Sequence, residues 1–276
     1  MTRLLSVLPR RICADDERHL VQYYRAREQL RRGWRRALST RCKQQFEKEK
    51  IAVIDAIQTC HKGAELDAAQ HAVEKQEKSW NSMLTNAYIG IAQDIAPMML
   101  RQFKGAAPSI TLTADDDIWL STVNRYISQI MPQTVAGLSS TTQDAIRAQL
   151  EEGLHNGLSI PDMVRSMGDL YDNTFKPVRT MTIVRTELTT ATGSATQAVG
   201  EYGAEKYGLT ITKRWLTARD KNVRDSHQDM EGITVDLNDM FDVHGSDMMF
   251  PGDRANGAEP EEWVNCRCDV VQHADI

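Results

Sequence analysis

The sequence predicts an α+β protein, with a mostly helical N-terminal region followed by a small C-terminal α+β domain with short antiparallel strands. Three observations lead there. Between residue 14 and Tyr88 only Gly33 and Gly63 interrupt the chain, and from residue 14 onward no proline occurs until Pro97, a composition that suits long helices. Apolar residues there recur at steps of three and four. Beyond Gly208 the period shortens to partly alternating runs separated by Asp, Asn, Gly and Pro, the pattern of short strands and turns. With 276 residues, 41% hydrophobic and 26% charged, the chain is long enough for one large domain or two modest ones, which excludes disorder as its dominant state. No apolar run approaches the roughly 20 residues of a membrane-spanning helix.

The expected organisation is a helical region at 1–112 and a second region at 113–276, divided into helices (113–207) and a small sheet (208–276). The opening segment, Met1 to Arg11, lacks the apolar core of a signal peptide and reads as an arm. Leu20, Tyr23, Tyr24, Leu30, Trp34 and Leu38 then trace one apolar face with arginines between them, and Ile51, Ile54, Ile57, Trp80, Leu84, Tyr88 and Ile95 continue it. A break is expected at Gly105–Thr113. Thr113 with Asp116, and Ser140 with Gln143, have the spacing of a reciprocal helix cap, predicting two helices. The second should stop near His155-Asn156-Gly157, and a short helix should start after Ser159 with Pro161 in its first turn. From Pro177, Met181, Val184, Leu188, Ala191, Ala195, Ala198 and Tyr202 mark a long helix, whose Ala191, Gly193 and Ala195 permit close approach of another element. Strands are expected at Thr210–Leu216, Gly232–Leu237, Met248–Phe250 and Cys266–Val271.

Charge is unevenly distributed. Residues 1–50 hold 14 basic and 6 acidic side chains, a balance of +8, leaving 19 against 32, or −13, for the remainder. The basic end suits a polyanion or an acidic protein surface. Arg25, Arg27, Arg31, Arg32, Arg35, Arg36, Arg41 and Lys43 fall within 19 residues, a candidate surface for the phosphates of double-stranded DNA, bound without sequence preference, or for a protein partner. The alternative is an ordinary solvated helix face. The five cysteines form no disulfide framework, which favours a reducing compartment.

The last third concentrates distinctive residues in one order: Arg185-Thr-Glu187, Trp215, Asp220, Arg224-Asp-Ser-His227, Gly232, Phe250-Pro251-Gly252-Asp253 and Asn265-Cys266-Arg-Cys268. Over roughly residues 140–271 this succession resembles the phage head morphogenesis family, the Mu F-like minor head proteins associated with the portal. The resemblance implies a minor head protein of a tailed bacteriophage, located in the virion at the capsid interior or portal vertex and in host cytoplasm during assembly. Its implied partners are the portal protein and the major capsid protein or scaffold, with packaged DNA contacted for genome delivery and no membrane. The stretch after Asp253 is more acidic than the family pattern leads one to expect.

Two chemical readings accompany the resemblance. Cys266 and Cys268, two apart on a strand, point one way and can meet one zinc ion, with His227 as a third ligand and an aspartate or His244 as a fourth. The simpler reading, two small buried residues closing the core, is preferred, so no cofactor is expected beyond this zinc candidate. Second, His227 as general base with Glu187 or Asp220 would make a hydrolase or nucleotide-group transferase. Structure is preferred over catalysis, because no Gly-x-Ser-x-Gly, His-Glu-x-x-His or phosphate-loop pattern occurs. Arg185 and Glu187, two apart on a helix, face different directions and should each tie a different loop to it.

Overall fold

In the computed structural model, which describes residues 14–106 and 118–275, the glycine-poor N-terminal half folds as three helices: α1 (Ala14–Thr59), α2 (Glu65–Glu74) and α3 (Glu77–Ala106). The chain turns between α1 and α2 at Gly63, whose φ of 89° is in the left-handed region that glycine adopts without strain. Of the break expected at 105–113, Gly105 and Ala106 still belong to α3; the remainder, like Met1–Arg11, Cys13 and the Thr113–Asp116 pair, lies outside the described residues.

One helix, α4 (Ile118–His155), runs through Ser140, so the second expected start is not there. The hydroxyls around it bond within the helix: Thr141 donates to the Gly137 carbonyl at 2.7 Å and Thr142 to that of Leu138 at 2.9 Å. Hydroxyls that close onto the preceding turn are not used as caps. The ends of this region follow the expected chemistry. Gly157 has a φ of 68° just beyond α4, and Ser159 caps α5 (Ile160–Leu170) by accepting from the Asp162 amide at 3.4 Å. Between α5 and α6 (Thr180–Tyr207) lies a π-helical stretch, Tyr171–Arg179, containing Pro177. The two expected helices are therefore one continuous helical run. The widened turn accommodates a residue that has no N–H to donate and whose ring crowds the preceding carbonyl.

After Gly208 (φ 66°) the chain forms β1 (Thr210–Leu216), the short helix α7 (Asp225–Gln228), β2 (Thr234–Asp236), β3 (Phe241–Val243), β4 (Ser246–Met248), helix α8 (Pro260–Trp263) and β5 (Asp269–Asp275). An antiparallel sheet has the order β2-β1-β5, with Trp215 opposite Val270, and β3 pairs with β4 in a separate hairpin. The expected strand at Cys266–Val271 thus begins later, at Asp269, and the one at Met248–Phe250 is a hairpin ending at Met248. Its turn, His244-Gly245, has positive φ at both positions (51° and 88°), the geometry that matches strand twist.

Packing joins the two halves. One core contains Phe46 of α1, Tyr88 of α3, Ile127 of α4, Val184 of α6 and Ile211 of β1, and a second gathers Trp215, Phe241, Met248, Phe250, Cys266 and Cys268 under the sheet. The larger core crosses residue 112 without a division, because α3 and α4 both pack on α6. Helix α6 is buried along nearly its whole length. Its small residues admit neighbours closely: Phe250 lies over Gly193 and Gln272 over Gly200, where a Cβ would overlap both side chains. Gly193→Val is therefore expected to lower unfolding free energy by about 1–3 kcal/mol through overpacking. Gly137→Ala, at an α4 position with open space around it, is expected to raise it by about 0.5–1 kcal/mol through helix propensity. Urea unfolding of both variants measures the contrast.

Candidate functional site

The chemistry-bearing residues of the last third converge on the segment Asn265–Asp269 and on the face of α6 beneath it. Asn265 has a φ of 59°, which bends the chain into this position, and its amide donates to Thr186 Oγ1 at 2.7 Å while Arg185 donates to its side-chain oxygen at 3.3 Å. Thr189 donates to the Cys266 carbonyl at 2.8 Å. Arg267 turns outward onto Asp220, with contacts of 2.5 and 2.6 Å that hold the Asp220 carboxyl at about 2. Arg224 donates to the Val264 carbonyl at 2.5 Å.

Cys266 and Cys268 flank Arg267 and turn inward, though they precede the strand and do not lie on it. Their sulfurs stand 3.6 and 3.4 Å from the same atom, His227 Nδ1, and all three side chains are buried. The other ring nitrogen, Nε2, is 3.0 Å from Glu262 Oε2, out of hydrogen-bond alignment, and Ser226 donates to that same carboxylate oxygen at 2.8 Å. Trp215 packs edge-on against the imidazole, 5.4 Å between centroids. The neighbouring Cys268, together with His227, holds the Cys266 thiol well below its ordinary value, and Cys268 is pushed up in turn because it sits beside that anion. No disulfide joins them. His244, named as a fourth ligand from sequence, lies on the exposed hairpin turn, 3.2 Å from Asp229, away from the sulfurs.

Glu187 belongs to a different cluster. It accepts from Arg254 at 2.7 and 3.1 Å and from the Tyr88 hydroxyl at 2.7 Å, so it shares no partner with His227, and Arg185 goes elsewhere. Phe250-Pro251-Gly252-Asp253 forms a buried turn with Gly252 at φ 84°. Thr190 donates to the Gly252 carbonyl at 2.8 Å, and Asp253 accepts from the Met249 and Ala255 amides, the Asn256 side chain and the Tyr126 hydroxyl. Gly232, at φ 80°, donates its amide to the Trp215 carbonyl at 2.9 Å. A cavity of about 260 Å³ opens beside Phe250 and Asp253; neither Glu187 nor His227 lines it.

The basic helix is divided. Arg25, Arg32, Arg36, Arg41 and Lys43 are exposed and Arg35 partly so. Arg27 and Arg31, expected on the contact surface, are buried instead. Arg27 grips Asp269 at 2.7 and 2.9 Å and Arg31 approaches it at 3.1 Å. Burial pulls the Asp269 carboxyl upward, but the two guanidinium groups outweigh it and the carboxyl lies below its ordinary value.

The family model described as phage Mu protein F like protein matches residues 144–271. Residues 144–271, a little under half of the chain, are thus similar to the phage Mu F-like family, a phage head morphogenesis family. The chain is 32% identical over 123 residues, 45% of its length, to the NAD(+)--arginine ADP-ribosyltransferase EFV of Enterococcus faecalis, of which the match covers 24%. It is 24% identical over 183 residues to the uncharacterized protein YqbB of Bacillus subtilis, with 64% of this chain and 54% of that protein covered. The chain thus spans a quarter to about half of these relatives. No solved structure matches.

Sequence reasoning missed the polar roles of Arg254, Asp269 and Lys213 within the matched region and of Tyr88 outside it. Only Lys213 left a local signal, since it takes the inward place between Ile211 and Trp215 on β1. It is fully buried, 3.3 Å from Gln197 Oε1, and burial lowers its pKa to about 8 against the pull of Asp253, Glu201 and Asp239. Between that value and the ordinary 10.5 the unfolded chain binds more protons, so stability rises with pH across this window and the penalty is complete below it. Lys213→Met is expected to be stabilising by about 1–2 kcal/mol at pH 7, with the gain shrinking as pH passes from 8 to 10.5. Denaturant unfolding at several pH values checks this; a gap independent of pH would contradict it. Asp269→Ala strands two buried cations and is expected to cost about 3–5 kcal/mol, read by the same assay.

Proposed function

We propose that this chain is a minor head protein of a tailed bacteriophage, which docks on the portal or the capsid interior during head assembly and presents the exposed side of α1 to packaged DNA. The observation that carries this reading is the family match over a domain whose distinctive polar residues are bonded to one another and to α6, the construction of a rigid docking body. Its partners are the portal protein and the major capsid protein or scaffold, its place is the virion, and host cytoplasm is its site during assembly. The reading assigns no catalysis to the chain. A hydrolase or transferase built on His227 and Glu187 is disfavoured by their separate partners, Cys266 and Cys268 for one and Tyr88 and Arg254 for the other.

The DNA component rests on exposed cations of α1, Arg25, Arg32, Arg36, Arg41 and Lys43. Arg41 is additionally set over the Trp34 ring at 5.8 Å and, with Lys48 and Lys78, borders an open cavity of about 480 Å³. The test is a variant in which Arg32, Arg36, Arg41 and Lys43 are all replaced by glutamine, produced in cells assembling heads. The unaltered chain is expected to copurify with portal and with particles, and its affinity for duplex DNA to fall as salt rises. In the variant the log affinity against log salt slope should shrink by up to about 4, with infectious yield reduced. Failure of the unaltered chain to copurify with portal or capsid overturns the assembly reading; salt-independent DNA binding overturns the DNA contact alone.

A further inference from the structure

We infer that His227, Cys266 and Cys268 bind one zinc ion, which staples α7 to the segment entering β5. Imidazole Nδ1 carries one in-plane lone pair and can accept from one thiol along it, yet two sulfurs approach it almost equally, at 3.6 and 3.4 Å. Two hydrogen bonds to one lone pair do not account for that arrangement. A shared tetrahedral cation does: zinc bonds of about 2.0–2.1 Å to nitrogen and 2.3 Å to sulfur set a nitrogen-to-sulfur edge of about 3.6 Å. The three ligand atoms lie within 4.8 Å of one another.

The surroundings have the chemistry of a metal's outer shell. Glu262 stands at 3.0 Å from the opposite ring nitrogen, out of alignment but near enough to accept from it after a small rotation and so orient a metal-bound histidine, and Ser226 donates to that carboxylate. The buried Trp215 indole N–H has no oxygen or nitrogen acceptor of its own, and the same ring packs against the imidazole. Thiolates with one imidazole select thiophilic ions, zinc foremost. The ligands come from two segments that pack on β1 and α6 but are joined by no strand pairing, so the ion fastens parts that the sheet does not.

The test uses the full chain, purified from zinc-supplemented cells. One zinc per chain should survive dialysis against a weak chelator, and cobalt exchanged into the protein should show the thiolate charge-transfer and intense visible bands of a tetrahedral sulfur site. Cys268→Ser and His227→Asn should each lose the ion, whereas Cys42→Ser and Cys60→Ser should keep it. Zinc removal should lower the melting temperature of the unaltered chain and leave Cys268→Ser unchanged. Should the variants fail to fold, alkylation of the unaltered chain decides the matter: added zinc should protect Cys266 and Cys268, located by peptide mapping, and leave Cys60 reactive. Alkylation indifferent to zinc, cobalt that stays octahedral, retention of zinc by folded Cys268→Ser, or a different metal held by the same residues would each overturn the assignment.

Discussion

The carboxylate of Asp269 is the constraint on which the arrangement of the two halves depends. It is buried at the first residue of β5 and held by two guanidinium groups from α1, one of them forked. A buried charge without a partner costs several kcal/mol, so the three groups cannot separate without a large penalty. Their leftover hydrogen-bonding capacity is mostly met: Arg27 also donates to Thr196 at 2.7 Å, and Arg31 to Thr189 at 3.2 Å and to the Cys268 carbonyl. Helix α1 is thereby tied to α6 and the sheet at once. Because Arg27 and Arg31 are one helical turn apart, their inward direction also sets which arginines of α1 face outward.

Helix α6 distributes that constraint over the rest of the C-terminal domain. It is rich in threonines, poor helix formers by propensity, yet their hydroxyls serve two purposes. Thr192 and Thr196 close onto carbonyls of their own helix, while Thr186, Thr189 and Thr190 reach loops that lie 62 to 79 residues further along the chain. With Glu187 binding Arg254 and Tyr88 in the same turn, the irregular segments around Gly252 and Asn265 are fixed at both backbone and side chain. Loops held this way preserve a shape, the property that the proposed assembly role needs.

Much of this was legible in the sequence wherever the signal was local. The Ser159 cap, the glycine after each of α4 and α6, strand β1 and the small residues of α6 all follow from residue type and spacing. Ser140 misled because a hydroxyl three residues before a glutamine reads as a cap even where the helix runs straight through it. Pro177 misled in the opposite sense, since a π-helical stretch absorbs a proline that a regular helix would not. The buried arginines were illegible for a different reason. Arg32 meets Glu28 on its own helix, whereas the acid that holds Arg27 is 242 residues away. The same holds for Arg254, whose partner Glu187 was visible as a motif residue while the contact was not.

What the motif residues share is a location more than a reaction. Consecutive positions of Asn265–Asp269 look in different directions: Asn265 to Thr186 and Arg185, Cys266 to Thr189 and His227, Arg267 to Asp220, Cys268 to His227 and Arg31, and Asp269 to Arg27 and Arg31. Five residues thus tie together α1, α6, α7, the loop after β1 and the sheet. A segment so placed cannot move to admit a substrate without breaking several buried interactions together, and the cost of each is in kcal/mol rather than tenths. Dense polar chemistry around a short segment is commonly the mark of a catalytic centre. Here the direction of every side chain argues that it is the mark of a joint.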